Sequence, residues 1–276
     1  MKKQIKVKIK WYNLFLVLSL TFVVLFFLSS TFNLLDWIVD SKKTKNKENE
    51  VIQNVTITEK EDNEETEIIK SEDNDKNNPY WKYINKKLID VDFSKLKEEN
   101  SDIVGWIKVS GTNINYPFVQ TKDNDFYLNH SFDKKFNKAG WVFMDFRNNN
   151  KEFDKNTIIY AHNRKDKTMF GSLKNVLTDN WINNKNNYTI NVSTEHENTL
   201  WQIFSIYHIE TTNDYIQVFF KDNNEFINFT KKLINRSIYN FNTSVNENDI
   251  IITLSTCYKE TEKLVVHAKL IKKETK

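Results

Sequence analysis

The longest apolar run of the chain lies close to its N-terminus and extends from Trp11 to about Phe32. Its central part, residues 14–28, contains only two polar side chains. A membrane-spanning helix needs roughly 20 apolar residues, so this pattern predicts one transmembrane helix over residues 11–32. A cleaved signal peptide is the alternative, but it requires small residues after the apolar core, and the first alanine of the chain is Ala139.

The charges that flank this run predict the orientation of the helix. Residues 1–10 contain five lysines and no acidic residue, and basic residues accumulate on the cytoplasmic side of membrane proteins. We therefore expect a single-pass protein of the cell membrane. Residues 1–10 would form a cytoplasmic basic tail, and everything after about residue 40 would lie outside the cell.

The next segment is strongly polar. Residues 41–78 contain seven lysines and eleven acidic residues, but no aromatic residue, glycine or proline. A segment of this composition cannot bury enough apolar surface to fold alone. We expect residues 33–78 to form a flexible polar stalk, parts of which could be a solvated helix, and residues 79–276 to form the folded domain.

The pattern changes again at Pro79. Residues 79–106 are typical of one or two short helices, and short β-type runs separated by turn residues begin within this stretch, near residue 102. Many short strands of this kind predict a mainly β domain, built as a barrel or a sandwich. The runs are DIVGWIKVSGTNINYPFVQ, GWVFMDFR, NTIIYAH, YTINVS, LWQIFSIYHI, YIQVFF, DIITLSTC and KLVVHAKLI.

One amphipathic helix interrupts these strands. Within residues 222–240, apolar side chains such as Phe226 and Phe229 recur at helical spacing. Asp222 or Asn223 can cap the N-terminus of this helix. The helix is predicted to end shortly before the strand that contains the only cysteine of the chain.

The composition excludes several classes of site. A single cysteine excludes an internal disulfide framework and a cysteine-based zinc site. The chain contains no HExxH, Walker A or GxGxxG pattern. Its net charge of +3 is too small to indicate a nucleic-acid groove. We therefore expect no metal, no cofactor and no nucleic-acid partner.

Cys257 is the candidate for chemistry. It ends the apolar run IITLSTC and precedes a polar loop, so its side chain can reach a cleft at the end of a strand. A buried, inert cysteine is the alternative, since free cysteine is among the most buried residue types. A nucleophilic cysteine needs a nearby base and a group that stabilises an oxyanion.

His162 is the best candidate for the base, because it lies at the C-terminal end of the strand NTIIYAH and before a polar loop. His130 is more typical of a structural hydrogen-bonding role. The other histidines have a packing or surface pattern: His196 in a predicted turn, and His208 and His267 within strands.

Four stretches of the chain resemble the sortase family, and specifically class B sortases. They are SDIVGWIKVSGTNINYPFVQ, DNDFYLNHSF, NTIIYAHNRKDKTMFGSL, and TLSTC followed by LVVHAKL, in this order across roughly residues 100–270. The resemblance implies a closed β-barrel with N-terminal helices and a long helix before the cysteine strand. It also implies a Gram-positive cell envelope as the setting.

The resemblance further implies a mechanism without a cofactor. Cys257 would attack the carbonyl after the threonine of an NPxTx-like C-terminal sorting signal in a secreted protein, and a thioacyl-enzyme would form. His162 would protonate the leaving amine and then deprotonate an incoming amine of a peptidoglycan precursor or cross-bridge. Ser255 would bind substrate or shape the site, although a strand hydroxyl that satisfies a local backbone group is an equal alternative.

Lys263 departs from the family pattern. The resemblance implies an arginine four residues before the histidine of the last strand, and counting back from His267 gives Lys263. Arginine offers a rigid fork of donors, whereas lysine offers a movable point charge. Lys263 is therefore either the third catalytic residue or an exposed loop lysine.

Two alternatives to an active transpeptidase follow. A degenerate protein with the sortase fold could bind sorting-signal peptides or a partner with weak or no turnover. A different cysteine enzyme fits less well. A Cys-X5-Arg phosphatase lacks its arginine here, and its loop YKETE has no glycine to wrap a phosphate. A papain-like protease would have its cysteine before its histidine.

Overall fold

The computed structural model describes residues 10–69, 80–259 and 261–276. The chain divides into two compact units, of which the first ends at Lys43 and the second extends from Thr44 to Lys276.

Helix α1, Trp11–Gln53, begins where the apolar run begins. Its most apolar window has a mean hydropathy of 2.4 and no buried residue. The helix is therefore a candidate membrane span by length and composition. Of the predicted basic tail, all but Lys10 lies outside the described residues.

The expected flexible stalk is wrong for residues 44–69, which belong to the second unit. Strand β1, Thr56–Lys60, pairs with β3, Leu88–Asp92, in antiparallel register. Strand β2, Thr66–Ile68, pairs with the end of the last strand of the chain. The remainder of the predicted stalk from residue 70 lies outside the described residues.

Contacts from the rest of the second unit explain why this polar segment is ordered. Glu48 is buried, and its carboxylate accepts a hydrogen bond of 2.7 Å from the hydroxyl of Tyr116. Lys272 is fully buried and donates to Asp62 at 2.6 Å. The segment is too polar to form its own core, but partners distant in sequence satisfy its charges.

Short helices follow, as predicted, but they flank a strand that the sequence pattern did not indicate. Helix α2 is Tyr80–Tyr83 and helix α3 is Ser94–Glu99, with β3 between them. Both tyrosines of α2, Tyr80 and Tyr83, are buried in the main core, and they attach this short helix to the rest of the domain.

Eight strands of the described residues form a closed barrel, which confirms the predicted fold class. The order is β10-β7-β6-β5-β4-β8-β9-β11, and β11 pairs back with β10. The pairs β5–β6 and β7–β10 are parallel, and the other neighbours are antiparallel. The bounds are β4, Ile103–Val109; β5, Asn115–Val119; β6, Phe143–Met144; β7, Asn156–Tyr160; β8, Thr189–Ser193; β9, Glu197–Glu210; β10, Ile251–Cys257; and β11, Glu262–Thr275.

The helix before the cysteine strand is also present as α5, Asn223–Arg236. The side chain of Asp222 accepts a hydrogen bond of 2.9 Å from the backbone N–H of Glu225 and so caps the helix. The apolar face packs on β9 and β11 in a second core cluster. The other helical segments are α4, Asp179–Ile182, and the 3-10 helices Phe126–Leu128, Phe170–Leu177 and Lys185–Asn187.

The run YIQVFF was expected to be a strand, and this expectation is wrong. Residues 215–220 have no regular secondary structure. Their carbonyl groups accept hydrogen bonds from side chains instead of a neighbouring strand, namely from Arg147 to Ile216 at 3.0 Å and from Asn156 to Gln217 at 2.8 Å. The apolar pattern arises because Tyr215 and Val218 are buried.

Candidate active site

The parallel strands β7 and β10 end at a cleft of about 300 Å³. Ser255 of β10 pairs with Tyr160 of β7, and Cys257 and His162 each lie two residues beyond this pair. Parallel strands carry such equivalent positions to the same edge of a sheet. The four residues singled out in the sequence all line the cleft: His162, Ser255, Cys257 and Lys263.

Cys257 is the only exposed residue of β10, and the six residues before it are buried. The buried, inert cysteine considered as an alternative is therefore excluded. The buried strand presents the thiol at its end, where the side chain lines the cleft.

Lys263 lies directly opposite Cys257 in the antiparallel pair β10–β11. Its Nζ is 3.1 Å from the Sγ of Cys257. The lysine is therefore the second residue of β11, not a loop residue, and it contacts the thiol. A positive charge at this distance can stabilise negative charge on a sulfur or on a nearby oxygen.

His162 is oriented by a backbone carbonyl. Its Nε2 lies 2.8 Å from the carbonyl oxygen of Leu128, which also lines the cleft. Because a carbonyl oxygen only accepts hydrogen bonds, Nε2 carries a proton in this arrangement. Nδ1 is then the ring nitrogen that can accept a proton.

Thr256 connects the cysteine strand to the histidine segment. It is buried, and its hydroxyl donates a hydrogen bond of 2.7 Å to the carbonyl oxygen of Ala161. Thr256 precedes Cys257 and Ala161 precedes His162. This bond therefore extends the connection between the two candidate catalytic segments beyond the last β7–β10 pair, Tyr160–Ser255.

Ser255 makes a side-chain contact with another residue that lines the cleft. Its hydroxyl lies 2.9 Å from the hydroxyl of Tyr215, so the partner is not the local backbone group considered as the alternative. Burial raises the pKa of Tyr215, partly offset by its bond to Ser255, and the phenol remains protonated at neutral pH. Tyr215 was missed in the sequence because the run that contains it was interpreted as a strand.

The remaining histidines do not belong to the described residues that line the cleft. His130 stacks on Phe126 at 4.0 Å between ring centroids, and its Nδ1 lies 2.7 Å from the carbonyl oxygen of the same residue. His267 is fully buried, as its strand position indicated, and Nδ1 of His208 lies 3.0 Å from the Glu262 carboxylate at the surface. Among the described residues, no cluster of three or more His, Cys, Asp or Glu side chains could hold a metal ion.

Comparison with known proteins places these observations in one family. The family model of the sortase domain matches residues 107–271. Sortase B of Listeria monocytogenes is 39% identical over 184 residues, which are 64% of this chain and 73% of the relative. Sortase B of Staphylococcus aureus is also 39% identical over 184 residues, or 65% and 75% of the two chains.

Solved structures of sortase B proteins are also similar to this chain. The substrate complex of Staphylococcus aureus sortase B has a TM-score of 0.61 and 38% identity, covering 65% of this chain and 84% of its own. The Bacillus anthracis sortase B complexed with AAEK1 has a TM-score of 0.66 and 32% identity, covering 86% and 99%.

Proposed function

The chain belongs to the sortase family, and from this premise we propose that it is a membrane-anchored class B cysteine transpeptidase. It cleaves a C-terminal sorting signal of NPxTx type after the threonine and joins the protein to a peptidoglycan amine. The observation that carries the proposal is the convergence of Cys257, His162 and Lys263 on one cleft.

In the first half-reaction, the Sγ of Cys257 attacks the carbonyl carbon of the threonine. His162 takes the proton of the thiol and gives it to the leaving amine as the C–N bond to the next residue breaks. The Lys263 ammonium, 3.1 Å from the sulfur, stabilises the oxyanion of the tetrahedral intermediate. The product is a thioester between Cys257 and the secreted protein.

In the second half-reaction, an amine of a peptidoglycan precursor or cross-bridge attacks the thioester. His162 removes a proton from this amine, the new amide bond forms and the thiol of Cys257 is released. A sortase B complexed with triglycine is among the similar structures, which supports a short amine-terminated peptide as the acceptor here.

Substrate recognition and location complete the proposal. Ser255 and its partner Tyr215 form one wall of the cleft and contact the sorting signal. The exposed apolar part of α1 anchors the chain once in the membrane, with the N-terminus in the cytoplasm and the catalytic domain outside. Nothing in the reaction requires a cofactor.

A lysine in place of the arginine at position 263 suggests a second candidate function. A degenerate protein of this fold would bind sorting signals with weak or no turnover, because a lysine lacks the fork of donors that arginine provides. The direct contact of Lys263 with Cys257 supports the active enzyme over this alternative.

The test uses the full chain in detergent and a fluorogenic peptide with an NPxTx-type signal. Cleavage by the wild type is expected, and it should be lost in both Cys257→Ala and His162→Ala. His196→Ala is the matched control, because this histidine does not line the cleft. Added triglycine should convert the hydrolysis product into a ligated peptide.

A silent wild type combined with turnover by Lys263→Arg would favour the degenerate protein. A Cys257 thiol that resists alkylation by iodoacetamide in the folded chain would contradict catalysis by this cysteine and leave only the binding function.

A further inference from the structure

A buried carboxylate lies behind the cleft, outside the catalytic group. Asp145 follows β6 and has no exposed surface. Its Oδ1 and Oδ2 accept a bidentate pair of hydrogen bonds from Nε and Nη2 of Arg147, at 2.8 and 2.7 Å. The Arg147 side chain is 33% exposed, whereas Asp145 is fully buried. Loss of the arginine is therefore costly, because it would leave a buried carboxylate without its charged partner.

The same pair holds three separate segments that line the cleft. Oδ2 of Asp145 accepts hydrogen bonds from the hydroxyl of Tyr160 at 2.9 Å and from the amide of Asn124 at 3.1 Å. Nη2 of Arg147 donates to the carbonyl oxygen of Ile216 at 3.0 Å. Tyr160, Asn124 and Ile216 all line the cleft, and they come from the end of β7 and from two irregular segments.

Charge stabilises this arrangement at neutral pH. Burial alone would raise the pKa of Asp145, but its hydrogen bonds from Arg147 and Tyr160 outweigh burial and hold the pKa below its usual value. Burial, assisted by the Asp145 carboxylate, raises the pKa of Tyr160. The carboxylate is therefore ionised and the phenol is protonated, which is the state that the hydrogen bonds require.

Residues 211–220 are the third segment, and the Asp145–Arg147 pair contacts them at Ile216. Residues 211–220 lack regular secondary structure, so they have no ladder of backbone hydrogen bonds to fix their position. Side chains hold them instead: Arg147 at Ile216, Ser255 at Tyr215, Asn156 at Gln217 and Arg236 at Asp214. Of these four, Arg147 and Ser255 act on the two residues that line the cleft.

We propose that Asp145 and Arg147 are positioning residues that hold the walls of the cleft in the shape that binds the sorting-signal peptide. They act through Tyr160, Asn124 and Ile216 and do not touch the reacting atoms. The identity of the ligand rests on the proposed function, whereas the ordering of residues 211–220 does not. Loss of the pair should therefore weaken peptide binding more than it slows the chemical step.

The first test is hydrogen–deuterium exchange on the full chain in detergent. Arg147→Gln and Asp145→Asn should each accelerate exchange of the amides in residues 211–220 by about tenfold, the order expected from one lost charge-assisted hydrogen bond. Asp249→Asn is the control, because Asp249 is a buried carboxylate 3.4 Å from Lys269 and does not line the cleft. Unchanged exchange in the two cleft variants would overturn the proposal.

The second test separates binding from chemistry. Arg147→Gln should raise KM for the peptide by about tenfold to a hundredfold, as expected for a site displaced by a remote change, with a much smaller effect on kcat. The same substitution in Cys257→Ala should weaken peptide binding, measured by fluorescence anisotropy, to the same degree. Arg147→Lys should rescue part of the loss, because it keeps a donor and the charge.

Failure of the proposed function and failure of the positioning role would give different results in these two tests. A wild-type chain that neither cleaves nor binds the peptide would contradict the proposed function, while the exchange experiment still decides whether Asp145 and Arg147 order residues 211–220. Arg147→Gln could instead be active with an unchanged KM and only a lower melting temperature, as expected for the control Asp249→Asn. This result would show that the pair has only a structural role and would overturn the inference.

Discussion

Lys263 occupies the position at which the resemblance to class B sortases implies an arginine. Its side chain lies opposite Cys257 and places one ammonium 3.1 Å from the sulfur. An ammonium can stabilise charge from this distance, but it cannot hold a carbonyl oxygen and an oxyanion in the fixed geometry of a guanidinium. In the proposed mechanism, stabilisation of the oxyanion therefore depends on one flexible donor.

We predict that Lys263→Ala lowers kcat/KM for peptide cleavage by about 10²–10³, the cost of removing one oxyanion donor in other enzymes. Lys263→Arg should match or exceed the wild type, because it restores the fork of donors. Steady-state kinetics with the fluorogenic peptide measures both effects. Lys259→Ala is the control, since this lysine pairs with Glu262 on the surface and does not line the cleft. Equal activity of Lys263→Ala and wild type would contradict a catalytic role.

At the scale of elements, the site depends on the parallel pairing of β7 with β10. This register brings Cys257 and His162 to one edge, although they are distant in sequence. The bond from Thr256 to the carbonyl of Ala161 extends the connection one residue beyond the ladder. Movement of either strand end would change the distance between Cys257 and His162.

We predict that Thr256→Val lowers both stability and activity. Valine has nearly the same shape but leaves the carbonyl of Ala161 without its donor, which costs about 1–3 kcal/mol for a buried group. Urea unfolding measures the loss, and peptide cleavage should fall because His162 is adjacent. Thr253→Val, in the same strand but away from the cleft, should destabilise without a selective effect on kcat. Unchanged activity in Thr256→Val would show that the bond does not position the histidine.

At the scale of the molecule, the folded unit includes the polar segment that precedes residue 79. Residues 44–69 contribute strands β1 and β2 and the partner of the buried Lys272. Val51 of this segment is fully buried in the main core. The segment thus completes the catalytic unit.

We predict that a chain beginning at residue 79 melts roughly 10 °C below one beginning at residue 44, because loss of a buried ion-pair partner costs several kcal/mol. Thermal unfolding followed by circular dichroism compares the two. Asp62→Asn in the longer chain should account for part of the difference. Equal melting temperatures would mean that β1 and β2 add nothing to the stability of the barrel.

The buried His267 predicts a dependence of stability on pH. Burial lowers its pKa to about 3, and its ring bonds to Thr253 at 2.8 Å and Tyr207 at 2.9 Å. The unfolded chain takes up a proton near the ordinary value of 6.5, whereas the folded chain does not. The contribution of His267 to the free energy of unfolding is therefore fully present above about pH 7. It falls as the pH decreases, by about 1.4 kcal/mol between pH 7.5 and 5.5.

Urea unfolding at several pH values checks this slope. His267→Gln should be less stable at pH 7.5, but it should lose about 1.4 kcal/mol less than the wild type on acidification. His208→Gln is the exposed control and should leave the wild-type slope nearly intact, because surface pairs contribute little. An identical slope in His267→Gln would contradict the assignment.

The sequence alone determined the features that depend on neighbouring residues: the candidate membrane helix, the short strands, α5 with its cap at Asp222, and a thiol at the end of a strand. Each has a local cause, such as hydrophobic periodicity or a capping side chain. The tertiary structure alone decided the contact of Lys263 with Cys257, the irregular wall that contains Tyr215, and the docking of residues 44–69. These features depend on strand register and on buried partners far away in the chain, and local patterns carry no information about such pairings.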